Sequence, residues 1–249
     1  MVDVQHHDGI RTLTLDSPAN RNALSARLLE QLEQALRDAT SDAAVRALVL
    51  TGSGTVFCSG ADLSERGAAA PNRMPAILTS MVESPVPVIA RVNGHARAGG
   101  LGLIAAADMA VAAEGSTFAF TEVKVGVAPA MILVPTLRVV DRRFLTRATL
   151  TGERFSASEA AAAGLLSAVT ADEAALDAWV ATQTLAIRQA APGAVRATKE
   201  LLRSLSAQEW AEGLAAAAAT SAELFAGAEA AEGMEAFLQK RRPAWDLTV

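Results

Sequence analysis

The sequence has little of what many catalytic sites require. Among 249 residues it has no tyrosine, three histidines and one cysteine, Cys58. No tyrosine hydroxyl can therefore serve as a proton donor. The Cys and His residues also lack the three or four ligands at set spacing that hold a zinc ion. A single cysteine forms no internal disulfide, which favours a reducing compartment. We expect a site that holds no metal.

Positive charge and long apolar runs are also scarce. Lys plus Arg is 22 and Asp plus Glu is 27, so the formal net charge is −5. Without a basic stripe, nucleic acid is not the expected partner. The most apolar stretch, 101–113, contains Asp108 and is shorter than the roughly 20 residues of a membrane span. Residues 1–8 have neither the basic nor the apolar region of a secretory signal. We expect a cytoplasmic protein without a membrane partner.

Alanine, in contrast, is abundant, with 56 residues that become denser toward the end of the chain. Because alanine has the highest helix propensity, the last hundred residues are expected to be mostly helical. The run Ala190-Ala191-Pro192-Gly193 is the clearest boundary signal. We therefore divide the chain into a β/α core over residues 1–190, which carries the site, and a helical region over 191–249.

The first part of the chain alternates strand and helix patterns. Residues 10–15 alternate apolar and polar side chains, and residues 45–51 form an apolar strand. Between them, Ser25 can cap a helix with one apolar face. This order predicts a right-handed crossover and a parallel strand pair. Further segments are predicted as a helix over 72–83, a strand over 86–92, a helix over 100–107 and short strands over 108–112 and 117–120.

Two glycine-bearing turns each lead from a strand into a helix. They are Ser59-Gly60-Ala61-Asp62 and Ala98-Gly99-Gly100. The N–H groups at a helix start are unpaired and carry the positive end of the helix dipole. If two of them converge, they form an oxyanion hole. Taken by their spacing alone, both segments are read as ordinary tight turns rather than as an oxyanion hole.

Several motifs together resemble the enoyl-CoA hydratase/isomerase (crotonase) family. They are the segments 57–63, 92–96 with Gly99 and Gly100, 120–123 with Gly126 and Pro129, and the tail 232–241. The resemblance implies an α/β fold, a spiral of stacked ββα turns followed by an all-α oligomerisation region. It also implies a homotrimer or hexamer and an acyl-CoA thioester substrate. Coenzyme A is then part of the substrate, so no separate cofactor is expected.

The resemblance also implies roles for individual residues. The N–H groups of Ala61 and Gly99 would hold the thioester oxygen, and Glu122 would be the catalytic carboxylate. The remaining positions would bind the coenzyme A portion, the last two of them from a neighbouring subunit: Arg21, Ala23, Asp62, Leu63, Gly100, Phe237 and Lys240.

One position departs from the family pattern. Typical hydratases of the family use two glutamates, and Gly102 stands where the first would lie. Three interpretations stay open: a hydratase that uses Glu122 alone, an isomerase that moves a proton between C2 and C4 of the acyl group, and an acyl-CoA-binding protein without turnover. Without the resemblance, Glu122 would be read as a solvated carboxylate at a strand edge.

Overall fold

The computed structural model describes residues 1–65, 72–205 and 227–246, without the side chains of Leu63, Phe237 and Leu238. Its strands are β1 (Val2–His7), β2 (Ile10–Leu15), β3 (Ala47–Gly52), β4 (Val56–Cys58), β5 (Val88–Val92), β6 (His95–Arg97), β7 (Met109–Ala113), β8 (Thr117–Ala119), β9 (Phe155–Ser156) and β10 (Ala168–Thr170). Its α-helices are α1 (Ala26–Ser41), α2 (Met74–Val82), α3 (Gly99–Ala106), α4 (Ala130–Val139), α5 (Arg142–Thr151), α6 (Ala157–Ala162), α7 (Glu173–Gln189), α8 (Pro192–Leu205) and α9 (Ala228–Leu238). Short 3₁₀ helices span Pro18–Asn20, Leu63–Glu65 and Glu122–Val125.

Three successive turns of the chain repeat the order strand, strand, helix. They are β3-β4-α2, β5-β6-α3 and β7-β8-α4. In each turn the first strand joins a large sheet of order β1-β2-β3-β5-β7-β10, and the second joins a small sheet of order β4-β6-β8-β9. The pairs β3-β5-β7 and β4-β6-β8 are all parallel. The predicted spiral of ββα turns is confirmed.

The core lies between the two sheets and the helices. Every residue of β3 is buried, as expected of a parallel strand that is covered on both faces. The helix predicted after Ser25 is α1, and the Ser25 hydroxyl accepts a hydrogen bond from Leu28 N at 3.3 Å. The buried face of α1 is the predicted one: Leu28, Leu32, Ala35, Leu36 and Ala39.

Strand β1 was not predicted, and its composition explains the omission. Five of its six residues are exposed, and its apolar alternation is limited to Val2 and Val4, which makes the sequence pattern weak. The strand forms because its backbone pairs antiparallel with all of β2, from Val2 opposite Leu15 to His7 opposite Ile10. Backbone hydrogen bonds between two strands cannot be read from the side-chain pattern of either strand.

A buried lysine connects the last described helices to the core. Lys199 on α8 donates from Nζ to Met81 O and Val86 O, each at 3.1 Å, and to Asp108 Oδ2 at 2.7 Å. Burial lowers the pKa of Lys199, and Asp108 acts in the opposite direction. Asp108 is therefore a structural acid, as expected. The gap between α7 and α8 falls at the predicted boundary, while the division into two domains stays a prediction.

Truncation of this lysine should destabilise the fold. We expect Lys199→Met to lower the free energy of unfolding by about 2–3 kcal/mol, because the buried carbonyl oxygens of Met81 and Val86 then lose their donor. Urea denaturation followed by circular dichroism measures the change. The matched control is Arg37→Met, which removes an exposed ion pair with Glu33 and should change stability by less than about 0.5 kcal/mol. Equal losses in both variants would contradict this role of Lys199.

Candidate active site

The candidate site lies where three parallel strands end. In the small sheet β4, β6 and β8 are neighbours, with Cys58 opposite Ala96 and Ala96 opposite Phe118. Adjacent strands are about 4.8 Å apart. The segments that follow them therefore share one edge of the sheet. These segments carry Ala61, Gly99 and Glu122.

The first turn leaves a backbone donor free. Leu24 N donates to Gly60 O at 2.8 Å, and Asp62 N donates to Leu24 O at 3.4 Å. In this parallel bridge between Leu24 and Ala61, Leu24 bonds to the residues on either side of Ala61. The Ala61 N–H consequently has no protein acceptor among the described residues, and Ala61 is exposed.

The second turn also leaves a backbone N–H donor free. Ala98 has φ 47° and ψ −119°, a strained conformation for a residue with a side chain, of the kind that clusters at functional sites. Its own N–H donates to Ala119 O at 3.1 Å, which continues the pairing of β6 with β8. The next residue, Gly99, begins α3, and within the described chain its N–H has no acceptor.

The two turns are in direct contact. A Cβ on Gly60 would lie 2.9 Å from Ala98 Cβ, and a Cβ on Gly99 would lie 2.7 Å from Leu24 Cδ1. The two turns can pack this closely at Gly60 because glycine has no side chain, whereas the contact at Gly99 is with the end of the Leu24 side chain. Leu24 therefore touches both turns. The arrangement favours an oxyanion hole formed by the N–H groups of Ala61 and Gly99.

Glu122 is a buried carboxylate rather than a solvated one. It begins the 3₁₀ helix Glu122–Val125 directly after β8, and its side chain is partly buried. Its Oε2 is inaccessible to solvent and has no hydrogen-bond partner among the described residues. Burial raises the pKa of Glu122 above its ordinary value of 4.5. The reading of Glu122 as a solvated strand-edge carboxylate is therefore wrong.

Gly102 is closed off by the following helix. A Cβ at position 102 would lie 2.5 Å from Ile132 Cγ2 and 2.9 Å from Ile132 Cβ. Ile132 lies on α4 and is 3% exposed. An apolar side chain thus packs against α3 at the position of the missing first glutamate. The sequence showed the absence of a carboxylate at 102 but not what packs there.

The predicted coenzyme A path is built around a buried asparagine. Asn22 Nδ2 donates to Ser53 O at 2.9 Å and to Val56 O at 2.7 Å, and Asn22 Oδ1 accepts from Ser17 N. These bonds hold Arg21 and Asn22 in left-handed conformations, with φ 57° and 55°, and Ala23 is buried next to them.

Asp62 caps the segment that follows the first turn. Its Oδ1 accepts from both Ser64 N and Ser64 Oγ, and these bonds lower the pKa of Asp62. The bonded serine lies in the short 3₁₀ helix Leu63–Glu65. Gly100 is buried in α3, where a Cβ would lie 2.9 Å from Cys58 Cβ.

Other predicted residues are not brought to this edge. Lys240 is exposed just beyond the end of α9, and no contact joins it to the two turns within the described chain. The side chain of Arg21 lines a different cavity, with His95 and Arg97. The side chains of Leu63 and Phe237 lie outside the described residues.

An apolar cavity of about 710 Å³ lies between α2, α4 and α8. Its apolar lining includes Pro75, Leu78, Val82, Met131 and Val134. The same two helices, α2 and α4, contact α3: a Cβ on Gly99 would lie 3.9 Å from Met74 Cε, and Ile132 packs on Gly102. Helix α3, which carries the second N–H donor, therefore lies between the site edge and two of the helices that line this cavity.

Comparison with known proteins finds the same family that the sequence motifs resemble. The family model described as enoyl-CoA hydratase/isomerase matches residues 5–247. Enoyl-CoA hydratase domain-containing protein 3, mitochondrial, from Danio rerio is 33% identical, over 98% of this chain and 87% of that protein. The 2,3-dehydroadipyl-CoA hydratase of Escherichia coli is 32% identical, over 96% of each. The crystal structure of an enoyl-CoA hydratase from Mycobacterium smegmatis superposes with a TM-score of 0.92 at 34% identity, over 98% of each chain.

The packing at position 102 is directly testable. We expect Gly102→Ala to lower the free energy of unfolding by about 1–3 kcal/mol, because the new methyl group overlaps Ile132. Thermal or urea denaturation measures this. Gly115→Ala is the matched control, since a Cβ there meets nothing within 4 Å. A stability gain in Gly102→Ala, as expected from alanine's helix propensity alone, would show that Ile132 does not fill this space.

Proposed function

The chain belongs to the enoyl-CoA hydratase/isomerase family, and on that premise we propose that it adds water to a 2-enoyl-CoA thioester with Glu122 as its single catalytic carboxylate. The observation that carries the proposal is the buried, unpartnered Oε2 of Glu122. It lies at the same sheet edge as two backbone N–H groups that have no acceptor among the described residues. A carboxylate that protein groups leave unsatisfied is free to hold and deprotonate water.

The proposed reaction needs no other side chain. Glu122 takes a proton from water, and the water oxygen forms a bond to C3 of the enoyl group. The C2–C3 π electrons then move toward the carbonyl, and the resulting enolate oxygen is held by the N–H groups of Ala61 and Gly99. Glu122 returns its proton to C2, which completes the addition of water. Loss of one N–H donor from a comparable oxyanion hole reduces the stabilisation of the transition state by roughly 3–4 kcal/mol.

The apolar cavity beside α3 supports an acyl-CoA substrate. Its volume of about 710 Å³ falls within the range of ligand pockets. The apolar part of this lining suits a hydrocarbon acyl chain, whereas Glu83, Arg138 and Arg203 make the rest of the lining polar. The 2,3-dehydroadipyl-CoA hydratase of Escherichia coli is by name a hydratase of a CoA thioester, which supports the same class of substrate here.

A second candidate is the isomerisation of a 3-enoyl-CoA. Ile132 favours it, because an apolar wall replaces the carboxylate that would help to hold water. In this reaction Glu122 removes a proton from C2 and returns it to C4, and the same two N–H groups hold the enolate. A protein that binds acyl-CoA without turnover is the third alternative.

We further propose a homotrimer or hexamer, in which Phe237 and Lys240 reach the coenzyme A of a neighbouring subunit. The exposure of Lys240, away from its own chain's site edge, supports this. The cytoplasmic location stays a prediction, and the Danio rerio relative is named as mitochondrial. No helix in the described parts of the chain is long and apolar enough to cross a membrane.

Replacement of Glu122 tests the proposed chemistry. We expect Glu122→Gln to lower kcat by at least about a hundredfold, with binding of the CoA thioester retained. The conjugated thioester absorbance measures both reactions, since it falls on hydration of a 2-enoyl-CoA and rises on isomerisation of a 3-enoyl-CoA. Glu114→Gln, at an exposed loop carboxylate, is the control. Full rates in Glu122→Gln would exclude both enzymatic proposals.

The pH dependence follows from the same group. Glu122 must begin hydration as the charged base, so kcat/KM should fall as the pH falls through its pKa. Since burial raises the pKa of Glu122, the midpoint of this acidic limb should lie above 4.5. A midpoint at or below that value, measured with a 2-enoyl-CoA, would contradict Glu122 as the base.

The role of Ile132 can be tested by restoring the missing carboxylate. We expect Gly102→Glu with Ile132→Gly to raise the hydration rate on the order of tenfold or more, because a second carboxylate can then hold the water. Gly102→Glu alone should destabilise the protein without a gain in rate, and Ile132→Gly alone is the control. A folded double variant with an unchanged rate would mean that Glu122 needs no second carboxylate.

A further inference from the structure

The start of α3 is not held by a capping side chain. Ala98, the residue before the helix, makes no side-chain capping bond, and the helix begins with Gly99 and Gly100. Glycine has more backbone freedom than any other residue. An oxyanion hole nevertheless requires that each of its donors be placed closely. The direction of the Gly99 N–H must therefore depend on packing against other parts of the chain.

Two buried side chains pack against this helix start. A Cβ on Gly99 would lie 2.7 Å from Leu24 Cδ1, and a Cβ on Gly100 would lie 2.9 Å from Cys58 Cβ. Leu24 is 6% exposed and Cys58 is fully buried. The next neighbour of the Gly99 position is Met74 Cε, at 3.9 Å. Leu24 is thus the side chain that most closely limits where Gly99 can lie.

The backbone of the same leucine holds the first turn. Leu24 N donates to Gly60 O at 2.8 Å, and Asp62 N donates to Leu24 O at 3.4 Å. These two bonds form the parallel bridge between Leu24 and Ala61. In such a bridge the N–H of the opposite residue points away from the pairing strand. The main chain of Leu24 therefore sets the direction of the Ala61 N–H.

Leu24 is itself held on both sides. Before it, the fully buried Asn22 donates to Ser53 O and Val56 O. After it, Ser25 caps α1 through its hydroxyl. A residue between a buried hydrogen-bonded side chain and a capped helix has little freedom to move. It can therefore act as a fixed spacer between two turns that belong to different strands.

We propose that Leu24 is a positioning residue that sets the distance between the N–H groups of Ala61 and Gly99. Its backbone holds the first donor, and its side chain holds the start of α3, which carries the second. This role rests on the proposed oxyanion hole but not on the chemistry of Glu122. Both donors stabilise one oxygen only if each lies about 2.7–3.1 Å from it. Loss of the spacer should therefore lower kcat more than it weakens substrate binding.

Truncation of the Leu24 side chain separates its two contacts, because the backbone bonds to the first turn remain. We expect Leu24→Ala to lower kcat for a 2-enoyl-CoA on the order of tenfold to a hundredfold, with little change in KM, since α3 can then shift away from the first donor. Leu24→Met, which nearly conserves volume, should restore most of kcat. Leu24→Val, with a smaller cavity, should change kcat in the same direction and serves if Leu24→Ala does not fold.

The matched control is Leu36→Ala, another buried leucine. At about 1.5 Å per helical residue, Leu36 lies roughly 15 Å along α1 from its start. We expect this variant to lose stability to urea as Leu24→Ala does, because both leave a cavity in the core. Its kcat should stay that of the parent protein. A similar loss of kcat in Leu36→Ala would mean that general destabilisation, and not the position of α3, explains the effect.

The carbonyl stretch of bound butyryl-CoA, measured by difference infrared spectroscopy, reports the two donors directly. Butyryl-CoA is saturated, so neither hydration nor isomerisation consumes it. We expect binding to the parent protein to lower the stretching frequency, and Leu24→Ala to lose about half of this shift, since one of two donors is displaced. Leu36→Ala and Leu24→Met should keep the shift.

These spectra distinguish the role of Leu24 from the proposed reaction. A parent protein that shifts the carbonyl stretch but converts no enoyl-CoA would overturn the proposed hydration, whereas a reduced shift in Leu24→Ala would still support the spacer. An unchanged shift in a folded Leu24→Ala or Leu24→Val, whatever its kcat, would overturn the role of Leu24. The absence of any shift in the parent protein would overturn it as well, together with the oxyanion hole.

Discussion

The parallel register of β4, β6 and β8 is the constraint on which the candidate site depends. These strands have only three residues each, yet their pairing places three chain reversals at one edge. The first two reversals pack so closely that Gly60 and Gly99 leave no room for a Cβ. Ala98 is held at a positive φ between them. Within the described residues, two N–H groups are thereby left without acceptors.

The same close packing decides which side chains the site can use. α4 packs against α3 through Ile132, and its Cγ2 takes the space that any side chain at position 102 would require. Glu122 is then the carboxylate at this edge with a buried oxygen that has no hydrogen-bond partner among the described residues, whereas Asp62 is bonded to Ser64. Hydration and isomerisation both pass through an enolate. Which of the two reactions occurs depends on whether Glu122 alone can hold water next to the apolar side chain of Ile132.

Much of the fold could be predicted from side-chain pattern. The apolar face of α1, the buried run of β3 and the boundary after α7 were all legible, because each depends on residues close together in sequence. Strand β1 was missed because its alternation is limited to Val2 and Val4, and its stability comes from pairing with β2. The short strands of the small sheet were recognised only in part, since three residues are too few to show a period.

The sequence by itself determined the chemical inventory: two glycine turns, a glutamate after a short strand, and no metal-binding cluster, tyrosine or disulfide to offer another chemistry. Motif resemblance added the roles of Ala61, Gly99 and Glu122. Only the tertiary structure decided that Glu122 is buried rather than solvated, that Ile132 fills the space at Gly102, and that Leu24 touches both glycine turns. These three outcomes depend on contacts between residues distant in the chain, and local pattern does not encode such contacts.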